Sequence, residues 1–288
     1  MSDNHEFDLD YDIDMAWCPG CGNYPIIKIL KRALSEAGVA PEKLVMCTGI
    51  GQAAKIPQYF KCNYFNGLHG RYLPVANAVK VCNPEMTVIA ESGDGCSYSE
   101  GGNHFIHTIR RNSDIVNIVH DNMVYGLTKG QAAPTTLKGM KASMHEQGSE
   151  LEPINPLTVA LSLGAGFVAR TVSSNEDLSV EVIKQAIAFK GYALVDFLHP
   201  CVTFNKLNNI KWYREHTKPL EDHDTGSYEA AYSKARETDP MWLGVFYNKE
   251  FETFTERCHA YEKDDTPLIK RQFDPQKVAD LLQRQKAD

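Results

Sequence analysis

The 288-residue sequence has no apolar run long enough to cross a membrane, which already narrows its function. The best candidate, residues 157–169, falls short of the ~18 residues needed and is interrupted by Ser162, Gly164 and Gly166. The acidic first 14 residues contain no basic segment ahead of an apolar one, so no signal peptide is predicted. We therefore expect a cytoplasmic protein that does not act in a membrane.

The sequence has fewer basic than acidic residues, and it has few cysteines. The 30 Lys and Arg residues against 37 Asp and Glu give a formal charge of −7, which does not suit a protein that binds nucleic acid phosphates. The 8 cysteines are too few and too scattered for a secreted disulfide scaffold. In a cytoplasmic chain, a close cysteine pair is more typical of a metal or redox site.

What the sequence does contain is an alternation of strand and helix patterns. Short apolar strands are predicted at residues 43–47, 86–90, 115–120, 167–170 and 192–198. Helical spacing of apolar residues predicts helices at 24–37, 73–81, 102–111, 157–163 and 178–188. Such alternation predicts an α/β fold with a mainly parallel sheet flanked by helices.

The periodic pattern weakens after residue 204. We therefore divide the chain into a main domain, residues 1–204, and a C-terminal extension, residues 205–288. The extension carries aromatic residues among charges and a predicted helix at 274–285. It is expected to pack on the main domain or on a partner subunit; a C-terminal subdomain without a functional role is the alternative.

The most informative motif is Gly93-Asp94-Gly95, which directly follows a predicted strand, while Asn122 follows the next one. A right-handed βαβ crossover places the carboxyl ends of these two strands side by side, where ligands of open α/β sheets bind. A carboxylate and an amide oxygen, completed by a backbone carbonyl and diphosphate oxygens, make an oxygen-rich Mg²⁺ site. This arrangement predicts a magnesium and thiamine diphosphate site.

A second motif is Cys18-Pro19-Gly20-Cys21, just ahead of the first predicted helix. Two thiolates at this spacing can bind one metal ion or one corner of a cluster, although a buried pair or a redox dithiol gives the same pattern. Cys47 ends one predicted strand and Cys201 follows another, so both are expected at the same sheet edge. Four such thiolates could hold Zn²⁺ or an iron–sulfur cluster, and their spacing does not decide between the two.

Together with these motifs, seven segments resemble the beta subunit of 2-oxoacid:ferredoxin oxidoreductases, particularly the 2-oxoglutarate enzymes. They occur in the same order and cover about two-thirds of the chain. The segments are WCPGCGN (17–23), GIGQAAKIPQYF (49–60), GLHGRYLPVANAVK (67–80), GDGCSYSEGGNHFIHTIRRN (93–112), DNMVYGLTKGQAAPT (121–135), EPINPLTVALSLGAGFVAR (152–170) and HPCVTFN (199–205).

The resemblance implies a set of cofactor-binding residues. It assigns Mg²⁺ to Asp94, Asn122 and the carbonyl of Val124. It surrounds the thiamine diphosphate with nine residues: Ile50, Gly51, Gln52, Ala53, His69, Gly95, Cys96, Gly126 and Leu127. It also implies a 4Fe–4S cluster on Cys18, Cys21 and Cys201.

The family's remaining cluster cysteine usually follows Gly-Ile-Gly directly, where this chain has Gln52. We predict that Cys47, on the strand entering that loop, takes its place; the alternatives are a lost ligand and a Cys47 that is only a core residue. Lys55, Lys129 and His69 are predicted to contact substrate or intermediates, because the two lysines flank cofactor segments and could hold a substrate carboxylate.

The resemblance further implies partners. Thiamine enzymes need a glutamate beside the aminopyrimidine ring, and it lies on a second domain for which this chain has no room. An alpha subunit is expected to supply that glutamate and the coenzyme A site in an alpha2beta2 enzyme that transfers electrons to ferredoxin. Two other interpretations stay open: a cluster-free thiamine-dependent 2-oxoacid decarboxylase subunit, and a zinc-stabilised nucleotide-binding module without catalysis.

Overall fold

The computed structural model describes residues 6–142 and 144–286, so part of the acidic N-terminal segment, residues 1–5, lies outside the described residues. The strands are β1 (Leu44–Thr48), β2 (Asn63–Asn66), β3 (Thr87–Gly93), β4 (Ile115–Asp121), β5 (Phe167–Val172), β6 (Tyr192–Leu198), β7 (Thr217–Pro219) and β8 (Met241–Asn248). The helices are α1 (Asn23–Glu36), α2 (Tyr72–Cys82), α3 (Gly102–Arg111), α4 (Pro156–Ser162), α5 (Glu176–Ala188), α6 (Ile210–His216), α7 (Tyr228–Arg236) and α8 (Pro275–Lys286).

The strands form one sheet in the order β2-β1-β3-β4-β6-β5-β8-β7. Every neighbouring pair is parallel except β5 and β8, which are antiparallel. The strands β4, β5 and β6 are buried along their whole length, as expected for parallel strands covered on both faces. The predicted α/β fold with a mainly parallel sheet is confirmed.

Helices cover both faces of the sheet. Side chains of α1 and α5 pack against one face in an apolar core that includes Ile26, Leu30 and Ile183. Side chains of α2, α3, α4 and α7 pack against the other face, around Tyr72 and Leu161. The amphipathic spacing that predicts the helices therefore arises from a three-layer arrangement in which each helix buries one face.

The C-terminal part of the chain contributes more to the sheet than its weak pattern indicates. The strand β8 pairs with β5, and β7 pairs with β8, so residues beyond 204 extend the same sheet. Predicted helix 274–285 corresponds to α8, whereas β2, β7, β8, α6 and α7 are not predicted from the sequence. No helix in the described part of the chain is long and apolar enough to cross a membrane.

One sheet edge brings the two polar motifs together. The strands β3 and β4 are parallel neighbours, and Gly93 pairs with His120 near their carboxyl ends. Asp94 and Asn122 each follow directly after these strands. The crossover argument from the sequence thus predicts the correct neighbours, and the functional site is built on this edge.

Candidate functional site

Asp94 is held at the end of β3 by a short hydrogen bond. It is buried, and its Oδ2 accepts a bond from the Thr135 hydroxyl at 2.6 Å. Desolvation by burial raises the pKa of its carboxyl group. Thr135 belongs to the loop after β4 and is not singled out by sequence reasoning, because a lone threonine in a loop has no spacing signal.

Further buried charges surround Asp94. Asp121 is also buried, and burial together with the charges of Asp196 and Asp94 raises its pKa. Arg170 bonds Asp196 at 2.8 Å and is the cation that acts on Asp121. Asp94, Asp121 and Asp196 are thus three buried carboxyl groups with one guanidinium, that of Arg170, bonded to Asp196. Ionising all three in a region of low dielectric constant is costly unless a further cation neutralises the charge. A divalent cation at Asp94 fits this charge distribution.

The loop after β4 makes a sharp turn at Asn122–Val124. The Oδ1 atom of Asn122 accepts a hydrogen bond from the Val124 N–H at 3.1 Å. Met123 between them has a left-handed backbone with φ of 58°. The Asn122 carbonyl accepts a bond from Asn205 Nδ2 at 3.0 Å, so the segment after Cys201 fixes this loop. Asn205 belongs to one of the resembling segments, but the sequence alone assigns it no role.

A cavity lies between these loops and the end of β1. All nine residues predicted to surround thiamine diphosphate and all three predicted to bind Mg²⁺ line it: Ile50, Gly51, Gln52, Ala53, His69, Asp94, Gly95, Cys96, Asn122, Val124, Gly126 and Leu127. Gly93, Tyr125 and Thr128 complete the lining. We call this the cofactor cavity.

Glycine is required at Gly95, and polar side chains surround it. A Cβ atom there would lie 2.2 Å from the Tyr125 ring. The Tyr125 hydroxyl donates to Glu100 at 3.0 Å, and Glu100 also lies 3.5 Å from His69 Nε2. His69 Nδ1 is buried without a partner among the described residues. A diphosphate group fits here, because the backbone at Gly95 allows close approach and His69 Nδ1 is free of a partner within the described residues.

Three cysteines line a second cavity, which we call the cysteine cavity. Its walls are Trp17, Cys18, Cys21, Asn23, Gln52, Asn122, Gly126, His199, Cys201, Val202, Thr203 and Phe204. The charges of Cys201 and Cys18 act on Cys21, whose pKa is raised to about 11, mainly by burial. Within the described residues, no three His, Cys, Asp or Glu side chains are grouped closely enough to hold one metal ion. Soft thiols spread around a cavity fit a cluster better than a single ion.

The two cavities share a wall. Gln52, Asn122 and Gly126 line both of them, and a Cβ atom at Gly126 would lie 3.6 Å from Cys201 Sγ. A group in the cysteine cavity would therefore lie directly beside a group in the cofactor cavity. The geometry suits electron transfer between them.

Comparisons with known proteins decide the family. A model of the thiamine pyrophosphate enzyme C-terminal TPP binding domain matches residues 46–197, and a model of the C-terminal part of the pyruvate ferredoxin oxidoreductase beta chain matches 201–263. The 2-oxoacid:ferredoxin oxidoreductase subunit beta of a Sulfolobus species is 38% identical over 260 residues, covering 85% of each chain. Subunit beta of 2-oxoacid:ferredoxin oxidoreductase 2 from Aeropyrum pernix is 43% identical over 209 residues, which are 72% of this chain and 68% of that one.

The chain belongs to the 2-oxoacid:ferredoxin oxidoreductase beta-subunit family. It is thus a subunit of an enzyme, and it carries a thiamine diphosphate-binding domain. A solved structure of 2-oxoglutarate:ferredoxin oxidoreductase from Magnetococcus marinus superposes with a TM-score of 0.88 at 31% identity, covering 98% of this chain and 97% of that chain. The resemblance inferred from the motifs is confirmed.

Cys47 does not join the other cysteines in this beta-subunit fold. It lies in β1 with its side chain in the core beside α2, whereas Cys21 packs against the core on the α1 side. Burial alone raises the pKa of the Cys47 thiol to about 12. The structure therefore does not support Cys47 as a cluster ligand and assigns it to the core, the alternative that the sequence leaves open.

The two predicted substrate lysines lie outside the lining of the cofactor cavity. Lys55 is half-buried in the short helical segment Ala53–Tyr59, which follows three lining residues and begins with a fourth, Ala53. Lys129 is exposed and has a left-handed backbone with φ of 79°. Both flank the cavity along the chain, and a substrate contact by either remains a prediction.

Two buried polar side chains of the cysteine cavity lack partners among the described residues. They are Gln52, through Oε1, and His199, through both ring nitrogens. An unsatisfied buried polar group costs about 1–3 kcal/mol. A group bound in the thiol-lined cavity could satisfy these atoms.

Proposed function

We propose that the chain binds thiamine diphosphate, Mg²⁺ and a 4Fe–4S cluster, and acts with an alpha subunit in the coenzyme A-dependent oxidative decarboxylation of a 2-oxoacid, or the reverse, with ferredoxin as the electron partner. The observation that carries the proposal is the shared wall between the cofactor cavity and the cysteine cavity. The Magnetococcus marinus enzyme, solved with 2-oxoglutarate, coenzyme A and succinyl-CoA bound, supports 2-oxoglutarate as the substrate.

Asp94, Asn122 and the Val124 carbonyl would hold Mg²⁺. Asp94 supplies the anionic oxygen, and Thr135 orients it. The Asn122 amide is already placed in the cavity by its bond to the Val124 N–H. Phosphate oxygens would complete the shell, since Mg²⁺ in such sites uses few protein ligands. A cation there would favour the ionised forms of the buried carboxyl groups, whose pKa values are raised by burial.

The remaining lining residues would position the organic cofactor. Gly95 permits close backbone approach, and His69 offers an unpartnered ring nitrogen to a phosphate or an intermediate. When bound, thiamine diphosphate supplies the carbanion and electron sink for chemistry at a 2-oxo group. Beside it, Cys18, Cys21 and Cys201 would hold a cluster that supplies a one-electron acceptor.

An alpha subunit is needed to complete the site. In the lining of the cofactor cavity Ile50 is 38% and Leu127 43% exposed, and an alpha subunit seated there would cover both side chains. The alpha subunit would supply the pyrimidine-side glutamate and the coenzyme A site in a cytoplasmic alpha2beta2 enzyme. Lys55 and Lys129 are the proposed cations for the substrate carboxylates.

Co-expression with the alpha subunit tests the proposal. We expect 2-oxoglutarate- and coenzyme A-dependent reduction of ferredoxin or viologen, which needs both chains, thiamine diphosphate and Mg²⁺. Asn122→Ala should abolish cofactor binding and activity, whereas Asn103→Ala, an exposed asparagine of α3, should change neither. Decarboxylation without coenzyme A in an enzyme free of iron would instead identify a cluster-free decarboxylase subunit.

A further inference from the structure

The cysteine cavity offers three thiols, whereas a four-iron cluster has four irons to ligate. The other five cysteines are absent from its lining: Cys47, Cys62, Cys82, Cys96 and Cys258. Cys96 is bound elsewhere, because its Sγ accepts the Gly70 N–H at 3.1 Å. A fourth ligand from the lining of this cavity would therefore be a group other than a cysteine thiol.

Gln52 is placed to be that ligand. It lines both cavities, and its backbone carbonyl accepts a hydrogen bond from Trp17 Nε1 at 2.9 Å. That bond ties Gln52 to the residue next to Cys18. The backbone is thereby anchored, while the side-chain Oε1 is buried and has no partner among the described residues. An anchored residue with an orphaned oxygen at a thiol-lined cavity is suited to coordinate a group inside it.

We propose that Cys18, Cys21 and Cys201 ligate three irons of the cluster and that the carboxamide oxygen of Gln52 ligates the fourth. This inference rests on the proposed function, because it assumes that the cavity holds a cluster. A neutral oxygen is a harder and weaker ligand for iron than an anionic thiolate. One iron would therefore be more exchangeable than the other three, and its ligand Gln52 lies on the wall shared with the cofactor cavity.

His199 is the other unpartnered polar side chain of the cavity, but its ring is packed into the wall. A Cβ atom on Gly22 would lie 2.4 Å from His199 Nδ1 and 2.9 Å from its Cγ. The ring also stands edge-to-face with His120 at 5.6 Å between centroids. Tight packing on both sides fixes this ring as part of the wall, whereas Gln52 Oε1 has no hydrogen-bond partner within the described part of the chain.

The test uses the alpha–beta enzyme purified without oxygen, with iron and sulfide counted before and after mild ferricyanide oxidation. We expect the wild-type enzyme to lose one iron in four and to develop the EPR signal of a three-iron cluster. Gln52→Cys should keep all its iron and show a lower reduction potential, since an added anionic ligand stabilises the oxidised cluster. Gln52→Ala should lose the fourth iron without any oxidant.

Cys18→Ser should lose most of its cluster, while Cys47→Ala, the matched change in the core, should keep the wild-type iron content and EPR spectrum. Wild-type and Gln52→Cys clusters that resist oxidation equally would overturn the assignment of Gln52. A Gln52→Ala variant with the wild-type EPR spectrum would also overturn the assignment. The case against Gln52 would be strongest if His199→Gln altered that spectrum. A wild-type enzyme that holds no iron would overturn the iron–sulfur part of the proposed function itself, an outcome distinct from the other two.

Discussion

Replacing Asp94 by asparagine should stabilise the cofactor-free protein and abolish its response to cofactor. The two effects have one cause. Asp94 is 2% exposed and lies near the buried carboxylates Asp121 and Asp196, so its ionised form is unfavourable until a cation binds. Asparagine has the same shape and no charge. Its side-chain oxygen can still accept the Thr135 hydroxyl bond.

The magnitude in the cofactor-free protein follows from the pKa. Burial raises the pKa of Asp94 above its ordinary value of 3.8, and each unit is equivalent to about 1.4 kcal/mol. The stabilisation from this group is complete below the unfolded pKa and is lost as the pH rises through the raised folded value. With the pKa of Asp94 raised to about 7, this loss approaches about 4 kcal/mol near pH 8. Asp94→Asn lacks this loss, so its melting temperature should exceed that of the wild type by roughly 8–12 °C near pH 8 and by less near pH 5.

Cofactor should narrow this difference in stability, because it should stabilise the wild-type protein and not Asp94→Asn. A ligand at one hundred times its dissociation constant stabilises a protein by about 2.7 kcal/mol, or ~5–8 °C for a chain of this size. Wild-type protein should show this shift with thiamine diphosphate and Mg²⁺ together, and Asp94→Asn should show none. Differential scanning fluorimetry with and without both ligands, at the two pH values, measures all these quantities.

Asp10→Asn is the matched control, because Asp10 is 83% exposed in an ion pair with Lys61 and exposed pairs contribute little. It should leave both melting temperatures unchanged. An Asp94→Asn variant that melts at or below the wild-type temperature without cofactor, and still gains several degrees with it, would refute the reasoning about both charge and metal binding.

Three further predictions use other parts of the site. Gly95→Ala should weaken thiamine diphosphate binding at least ~10-fold, since the added Cβ meets the Tyr125 ring at 2.2 Å, whereas Gly102→Ala, which has open space, should not; calorimetric titration compares them. Arg170→Met should lower the urea-unfolding free energy by about 3–5 kcal/mol, because it leaves a buried carboxylate unpaired. If Lys55 or Lys129 holds the distal carboxylate of 2-oxoglutarate, its change to Met should lower kcat/KM for that substrate ~10–100-fold and for pyruvate much less; equal losses on both substrates would contradict this.

The predictable part of the fold is the part with strong periodicity. Predicted strands 86–90, 115–120 and 192–198 correspond to β3, β4 and β6, since parallel central strands are continuous apolar runs. Of the strands that escape prediction, β2 and β7 have no such run, whereas β8 is an apolar run that lies among the charged residues of the C-terminal part. All four residues of β2 are exposed, and β7 has three residues. Edge strands of this kind are defined by their neighbours more than by their own sequence.

The cofactor cavity is predicted more completely than its supporting contacts. Residues that belong to a glycine-rich motif or a strand end can be placed from topology, as Asp94 and Asn122 show. Thr135 and Glu100 cannot, because their roles depend on loops that approach from distant parts of the chain: Thr135 reaches Asp94 across 41 positions. Such contacts leave no local periodicity, and only the folded loop geometry reveals them.

Cys47 and Gln52 show that the end of a predicted strand does not by itself determine which side chains meet at a site. The end of a strand fixes the position of a residue along the sheet, but the alternation of side chains fixes its face. In β1, Met46 points to the α1 side, so Cys47 points to the α2 side and away from Cys21. Gln52 lies beyond the strand in a loop anchored through Trp17. No strand alternation constrains Gln52 there, so the fourth ligand that we propose comes from the loop rather than from the strand.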